Sequence, residues 1–135
     1  MREQSTLSLF YSFSGNFILS LVTECISGMQ GLTILDLTCN GIGNVGAWYI
    51  SRIEGLSILI LESNIVKDEG AQHLSRMESL TELNINNNKI GDEGIQHISS
   101  MRKIRKLYLS SNVIGNDGGP VSFSYAGCEH NGSQI

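Results

Sequence analysis

One pattern returns through most of this chain, and each return falls 24 positions after the last. Leu32-x-x-Leu35-x-Leu37-x-x-Asn40-x-Ile42 is followed by Leu56, Leu59, Leu61, Asn64 and Val66. Leu80, Leu83, Ile85, Asn88 and Ile90 come next, then Ile104, Leu107, Leu109, Asn112 and Ile114. A fixed period in this range belongs to a solenoid, in which each unit buries its apolar face only against its neighbours. Few other folds can accommodate such a pattern.

Within the unit, Leu35-x-Leu37 has the two-residue period of a short strand, and Leu59-x-Leu61, Leu83-x-Ile85 and Leu107-x-Leu109 repeat it. Strands recurring at a constant interval in one direction form a parallel sheet. Asn40, Asn64, Asn88 and Asn112 follow the strands, where an amide side chain can pair the backbone groups that a tight bend leaves over. The second half of each unit reads as a helix. Asn44, Asp68, Asp92 and Asn116 stand at the expected N-cap, and three of the next four residues are acidic, which suits the helix dipole. Gly46, Gly70, Gly94 and Gly118 imply close backbone approach between helix and sheet. Ile50, Leu74 and Ile98, with Ile53, Met77 and Met101, form the apolar stripe, while Gln72, His73, Gln96 and His97 are expected to face water.

The phrase L-x-x-L-x-L-x-x-N-x-I followed by I-G-D-E-G, cleanest at Ile90-Gly91-Asp92-Glu93-Gly94, resembles the leucine-rich repeats of the helix-bearing, ribonuclease-inhibitor-like kind. The resemblance is close over residues 32–103 and partial to about 119. It implies an α/β fold: a right-handed leucine-rich-repeat solenoid with a short parallel sheet on the concave face and helices on the convex face. It also implies an intracellular protein-binding module and not an enzyme.

The ends depart from the pattern. Projecting the period backwards makes residues 1–31 a degenerate first repeat, with Tyr11 and Phe13 at strand positions, Asn16 on the ladder and Val22 where glycine is expected. Residues 32–103 are three full repeats and 104–119 a partial one. Pro120 then breaks the expected helix, and residues 120–135 read as a disordered tail. Such a stack is expected to be marginally stable, or to be stabilised by self-association through its uncapped ends.

The net charge of −4 argues against general nucleic-acid binding, which needs cations to neutralise phosphate. Three cysteines, Cys25, Cys39 and Cys128, show no paired spacing and fit a reducing compartment, hence a cytoplasmic location. The apolar run Phe17–Val22 is a poor signal peptide, and no stretch is long enough to span a membrane.

Binding chemistry is expected on the residues that alternate with the strand leucines. They fall in three rows: Ile34, Ile58, Glu82 and Lys106; Asp36, Ile60, Asn84 and Tyr108; and, just past the strands, Thr38, Glu62, Asn86 and Ser110. This mixture of apolar, acidic and aromatic groups suits a protein interface. Ile34, Ile58 and Ile60 would form an exposed apolar patch, and Tyr108 beside Lys106 is the best single anchor.

Other groups carry less. His73 and His97, each four residues after a glutamate, suggest a two-His, two-Glu metal set, but no further ligand has suitable spacing, and ordinary Glu–His pairs explain them. Arg102-Lys103-Ile104-Arg105-Lys106 straddles a helix end and a strand start around a core isoleucine. Lysine or arginine suits a helix C-terminus, and contact with an acidic partner is the functional alternative. Trp48 is expected to pack against the first repeat. No nucleophile motif or phosphate loop occurs, and neither enzyme activity nor a cofactor is expected. The function read from the sequence is a protein–protein interaction module whose partner is a protein. The alternative is a non-binding structural fragment of a longer scaffold or receptor.

Overall fold

A computed structural model describes residues 5–8 and 31–115. The order is β1 (Ser5–Ser8), β2 (Leu32–Asp36), α1 (Asn44–Ile50), β3 (Ile58–Ile60), α2 (Asp68–Leu74), β4 (Glu82–Asn84), α3 (Asp92–Ser99) and β5 (Lys106–Tyr108). The strands form one parallel sheet in chain order. From β2 onward the register holds: Leu35 lies opposite Leu59, Leu59 opposite Leu83 and Leu83 opposite Leu107. Successive helices pack side by side behind the sheet.

The core lies between sheet and helices. Leu35, Leu37, Leu59, Leu61, Leu83 and Ile85 are fully buried from the strand side, and Ala47, Ile50, Ala71 and Leu74 from the helix side. Helices this short are not stable alone in water, so their order comes from this packing. Ile53 and Met77 are buried as expected, but they sit in the turns after α1 and α2, held by bonds from their N–H groups to Ile50 O and Leu74 O, both 3.0 Å.

The asparagine ladder explains how the bends are paired. Asn64 Oδ1 accepts from the Asn40 and Ile42 N–H groups of the preceding unit at 3.0 and 2.8 Å. Its Nδ2 donates to Leu37 O, Leu61 O and Glu62 O at 3.0, 2.9 and 3.2 Å. One and two units on, Asn88 and Asn112 accept from Val66 N and Ile90 N, both at 2.9 Å, and donate back to Leu61 O and Ile85 O, both at 2.9 Å. The residue before each ladder asparagine, Cys39, Ser63, Asn87 or Ser111, has φ near 60°. That left-handed step costs a non-glycine residue about 1–2 kcal/mol, and it recurs at the point where the chain turns off the strand.

Three expectations are corrected. First, β1 does not follow the fixed period: Leu7 lies opposite Leu35 and Ser8 opposite Asp36, with a register shift between Ser5 and Thr6. The strand therefore precedes Tyr11 and Phe13, and its signal is the Leu7-x-Leu9 spelling, which a rigid 24-residue projection passes over. Tyr11, Phe13, Asn16 and Val22, like residues 116–135, lie outside the described residues.

Second, Asn44, Asp68 and Asp92 are not N-caps of their own helices. The caps are Gly43, Lys67 and Gly91, with no side-chain cap bond. Asn44 Oδ1 instead accepts from Lys67 N and Gly70 N of the next unit, both 2.9 Å. Asp68 Oδ1 accepts from Gly91 N and Asp92 Oδ1 from Gly115 N, each at 2.6 Å. Asn44 and Asp68 thus cap one repeat ahead, accepting from N–H groups at the starts of α2 and α3 that lack an intrahelical acceptor, and Asp92 makes the corresponding bond to Gly115. Third, the recurrent glycines make room for neighbouring helices and caps, not for the sheet. A Cβ on Gly70 would lie 2.7 Å from Asn44 Oδ1 and 3.3 Å from Ala47 Cβ, and one on Gly94 would lie 2.6 Å from Asp68 Oδ1.

Cys39 is disulfide-bonded, so the expectation of reduced thiols does not hold at this position. Among the described residues, no helix is long and apolar enough to cross a membrane.

Candidate functional site

Because β2 to β5 are in register, the side chains between the core leucines stand in rows on the sheet face turned away from the helices. Ile34, Ile58, Glu82 and Lys106 are successive partners across the four strands, and so are Asp36, Ile60, Asn84 and Tyr108. Backbone pairing continues past the assigned strands, from Cys39 N to Glu62 O, Ser63 N to Asn86 O and Asn87 N to Ser110 O. This aligns the third row, Thr38, Glu62, Asn86 and Ser110.

The two halves of this face differ. Ile34, Ile58 and Ile60 form the apolar half; they are half-buried by their neighbours, so the fully exposed patch expected from the sequence is smaller than its residue types suggest. Asp36 is held by its own strand end, where Oδ1 accepts from Thr38 N at 3.1 Å and from Thr38 Oγ1 at 2.6 Å. On the other half, Glu62 Oε2 accepts from Asn84 Nδ2 at 3.2 Å and Asn86 Nδ2 at 3.5 Å. Asn86 Oδ1 accepts from Ser110 N at 2.7 Å. Lys106 Nζ stands 3.8 Å from Glu82 Oε2. Tyr108, at 41% exposure, is the most accessible aromatic or aliphatic side chain in the three rows, and the Lys106 side chain beside it is more exposed still, at 65%. The arrangement offers a fixed polar network beside an apolar strip.

Elsewhere the chemistry is sparse. Among the described residues no three His, Cys, Asp or Glu side chains converge on a metal position. His73 and His97 are half-buried where solvent exposure was expected, whereas Gln72 and Gln96 are exposed. Trp48 meets the edge of Tyr49 at 4.8 Å between ring centroids, and the Arg52 guanidinium lies 5.0 Å from a Trp48 ring centroid. These local contacts account for Trp48 without a ligand. Arg102, Lys103, Arg105 and Lys106 are all exposed around the half-buried Ile104.

A family model described as leucine rich repeat matches residues 54–114, and a second model of that description matches residues 29–51. These segments are leucine-rich repeats. No curated protein matches the sequence. Among solved structures, the tropomodulin C-terminal domain of Caenorhabditis elegans is similar with a TM-score of 0.63 at 17% identity, over 81% of this chain and 74% of that one. Leiomodin-1 actin-binding site 2 is similar with a TM-score of 0.50 at 14% identity, over 73% of this chain and 64% of that one. At these identities the likeness establishes the fold that the leucine-rich repeats adopt here.

Proposed function

We propose that the leucine-rich repeats present the outer sheet face, as the concave face of the solenoid, to a protein partner. On this reading the repeats are of the ribonuclease-inhibitor-like, helix-bearing subclass, and the chain is a binding module and not an enzyme. The observation that carries it is the in-register row Asp36–Ile60–Asn84–Tyr108 beside Ile34–Ile58–Glu82–Lys106. The half-buried isoleucines supply apolar contact, and Glu62, Asn84 and Asn86 supply polar groups already fixed by mutual bonds, which lowers the ordering cost of association. Tyr108 is the anchor, since aromatic side chains dominate interface energetics.

The fold is one that serves protein binding elsewhere. Leiomodin-1 carries a structure of this kind as an actin-binding site. Actin is therefore the first protein to offer the chain.

The test is comparative capture: the intact chain, a Tyr108→Ala/Lys106→Glu variant and a helix-face Gln72→Lys/Gln96→Lys variant are offered purified actin and a cell extract. Proteins retained by the intact chain and the helix-face variant but lost from the sheet-face variant support the reading. Unchanged capture by the sheet-face variant defeats it.

One observation favours the second reading, a structural piece of a longer scaffold. Leu107 and Ile114 are 37% and 39% exposed, whereas their counterparts Leu83 and Ile90 are fully buried. A further unit stacked on this rung would cover them. Continued repeats in the transcript beyond Ile135 would support that reading, and their absence would remove its support.

A further inference from the structure

The turns that lead from α2 to β4 and from α3 to β5 enclose a cavity of about 480 Å³, away from the sheet-face rows. Met77, Leu80 and Met101 form its apolar side, and Arg76, Arg102 and Lys103 its cationic side. Met77 and Leu80 are buried, Met101 is half-buried, and the three cations are exposed. Among the described residues none of these three cations is in an ion pair, whereas Lys106 lies 3.8 Å from Glu82. The concentration of charge is unusual for this molecule. The sequence holds nine lysines and arginines at a net charge of −4, and Arg76, Arg102 and Lys103 meet at this one groove, with Arg105 and Lys106 following in sequence.

We propose that this groove is a second binding site, which takes an acidic peptide segment of a protein partner with an apolar side chain among its carboxylates. Three features select that occupant. The thioethers of Met77 and Met101 line a site that adapts to an inserted aliphatic group, because methionine is unbranched and polarizable. The cations stand at the rim, where they meet carboxylates spread along a chain. Glu78 also lines the groove, so a compact, multiply charged anion would meet a like charge beside the cations, whereas carboxylates spaced along a chain can pair with the cations separately. The helix ends are themselves closed off: Ser75 Oγ donates to Gln72 O at 2.7 Å and Ser100 Oγ to His97 O at 2.6 Å, so those carbonyls make no demand on a ligand.

Fluorescence anisotropy of the full chain with a labelled peptide alternating glutamate and leucine tests this. The comparison peptides replace leucine by serine in one and glutamate by lysine in the other, and inorganic phosphate and phosphatidylserine vesicles are run alongside. The expected result is saturable binding of the glutamate–leucine peptide, weakened by salt and by loss of either residue type. Arg102→Glu/Lys103→Glu should weaken it by about tenfold or more. Gln72→Lys/Gln96→Lys should not weaken it. Both variants alter exposed positions, and an unchanged circular dichroism spectrum verifies their fold. Equal binding of the serine peptide would leave charge alone and overturn the groove. So would binding of vesicles or phosphate without the peptide, or unchanged affinity in the charge-reversed variant.

Discussion

At the scale of single residues, identical positions do different work from what their types suggest. The ladder asparagines were legible because the bends they serve need a carbonyl acceptor and an NH2 donor with two hydrogens together, and only asparagine and glutamine carry that pair. The caps were legible as residue types and misplaced by one unit, because sequence spacing shows which helix a residue begins but not which helix its side chain reaches. The left-handed step left almost no trace, since among Cys39, Ser63, Asn87 and Ser111 only asparagine favours it. The glycines give a prediction in which the usual sign reverses. Alanine normally stabilises a helix over glycine by about 1 kcal/mol. At Gly94 the added Cβ would lie 2.6 Å from both Asp68 Oδ1 and Ile90 Cγ2, the first pinned to Gly91 N and the second on a buried β-branched side chain. Gly94→Ala is therefore expected to destabilise by about 1–3 kcal/mol, read as a fall in the urea midpoint. A midpoint that rises would mean the cap and Ile90 yield freely.

At the scale of elements, the strands β2 to β5 and the helices between them were legible because leucine spacing and helix spacing alternate without interruption. β1 was not, since one longer connection breaks the period while Leu7-x-Leu9 keeps the local spelling. The sheet-face residues were legible by alternation alone: the rows form as expected, but the degree to which neighbours cover the isoleucines depends on side-chain directions that alternation does not specify. The elements also differ in what surrounds them. Leu83 in β4 is fully buried between two neighbouring strands, and Leu107 in β5 occupies the same register but retains more than a third of its exposure. Leu83→Ala is expected to cost about 2–5 kcal/mol, and Leu107→Ala distinctly less. Equal costs in urea unfolding would mean that β5 is covered in solution.

At the scale of the whole molecule, stability is a sum of units and of the seams between them, so it should grade along the stack. The Leu61 N–H bonds Asn84 O in a strand flanked on both sides, whereas the Ile85 N–H bonds Tyr108 O in the last strand of the described sheet. Hydrogen exchange at Ile85 is therefore expected to run about tenfold or more faster than at Leu61; equal rates would mean that the stack opens in a single step. The donated caps carry this a stage further. Asn44 closes onto the helix that follows, Asp68 onto the next, and Asp92 onto Gly115, so every seam is made from two consecutive units and none belongs to one. Cutting between Asn44 and Val45 and rejoining between Asp68 and Glu69 would remove a whole unit yet leave a carboxamide facing the amides that Asp68 now meets. Removing one residue more or fewer would shift both that side chain and the ladder asparagine off their acceptors and donors. From β2 to β5 insertions and deletions are thereby quantised: that stretch can change in whole periods, and hardly at all between them, whereas the β1–β2 interval, outside these seams, already departs from the period.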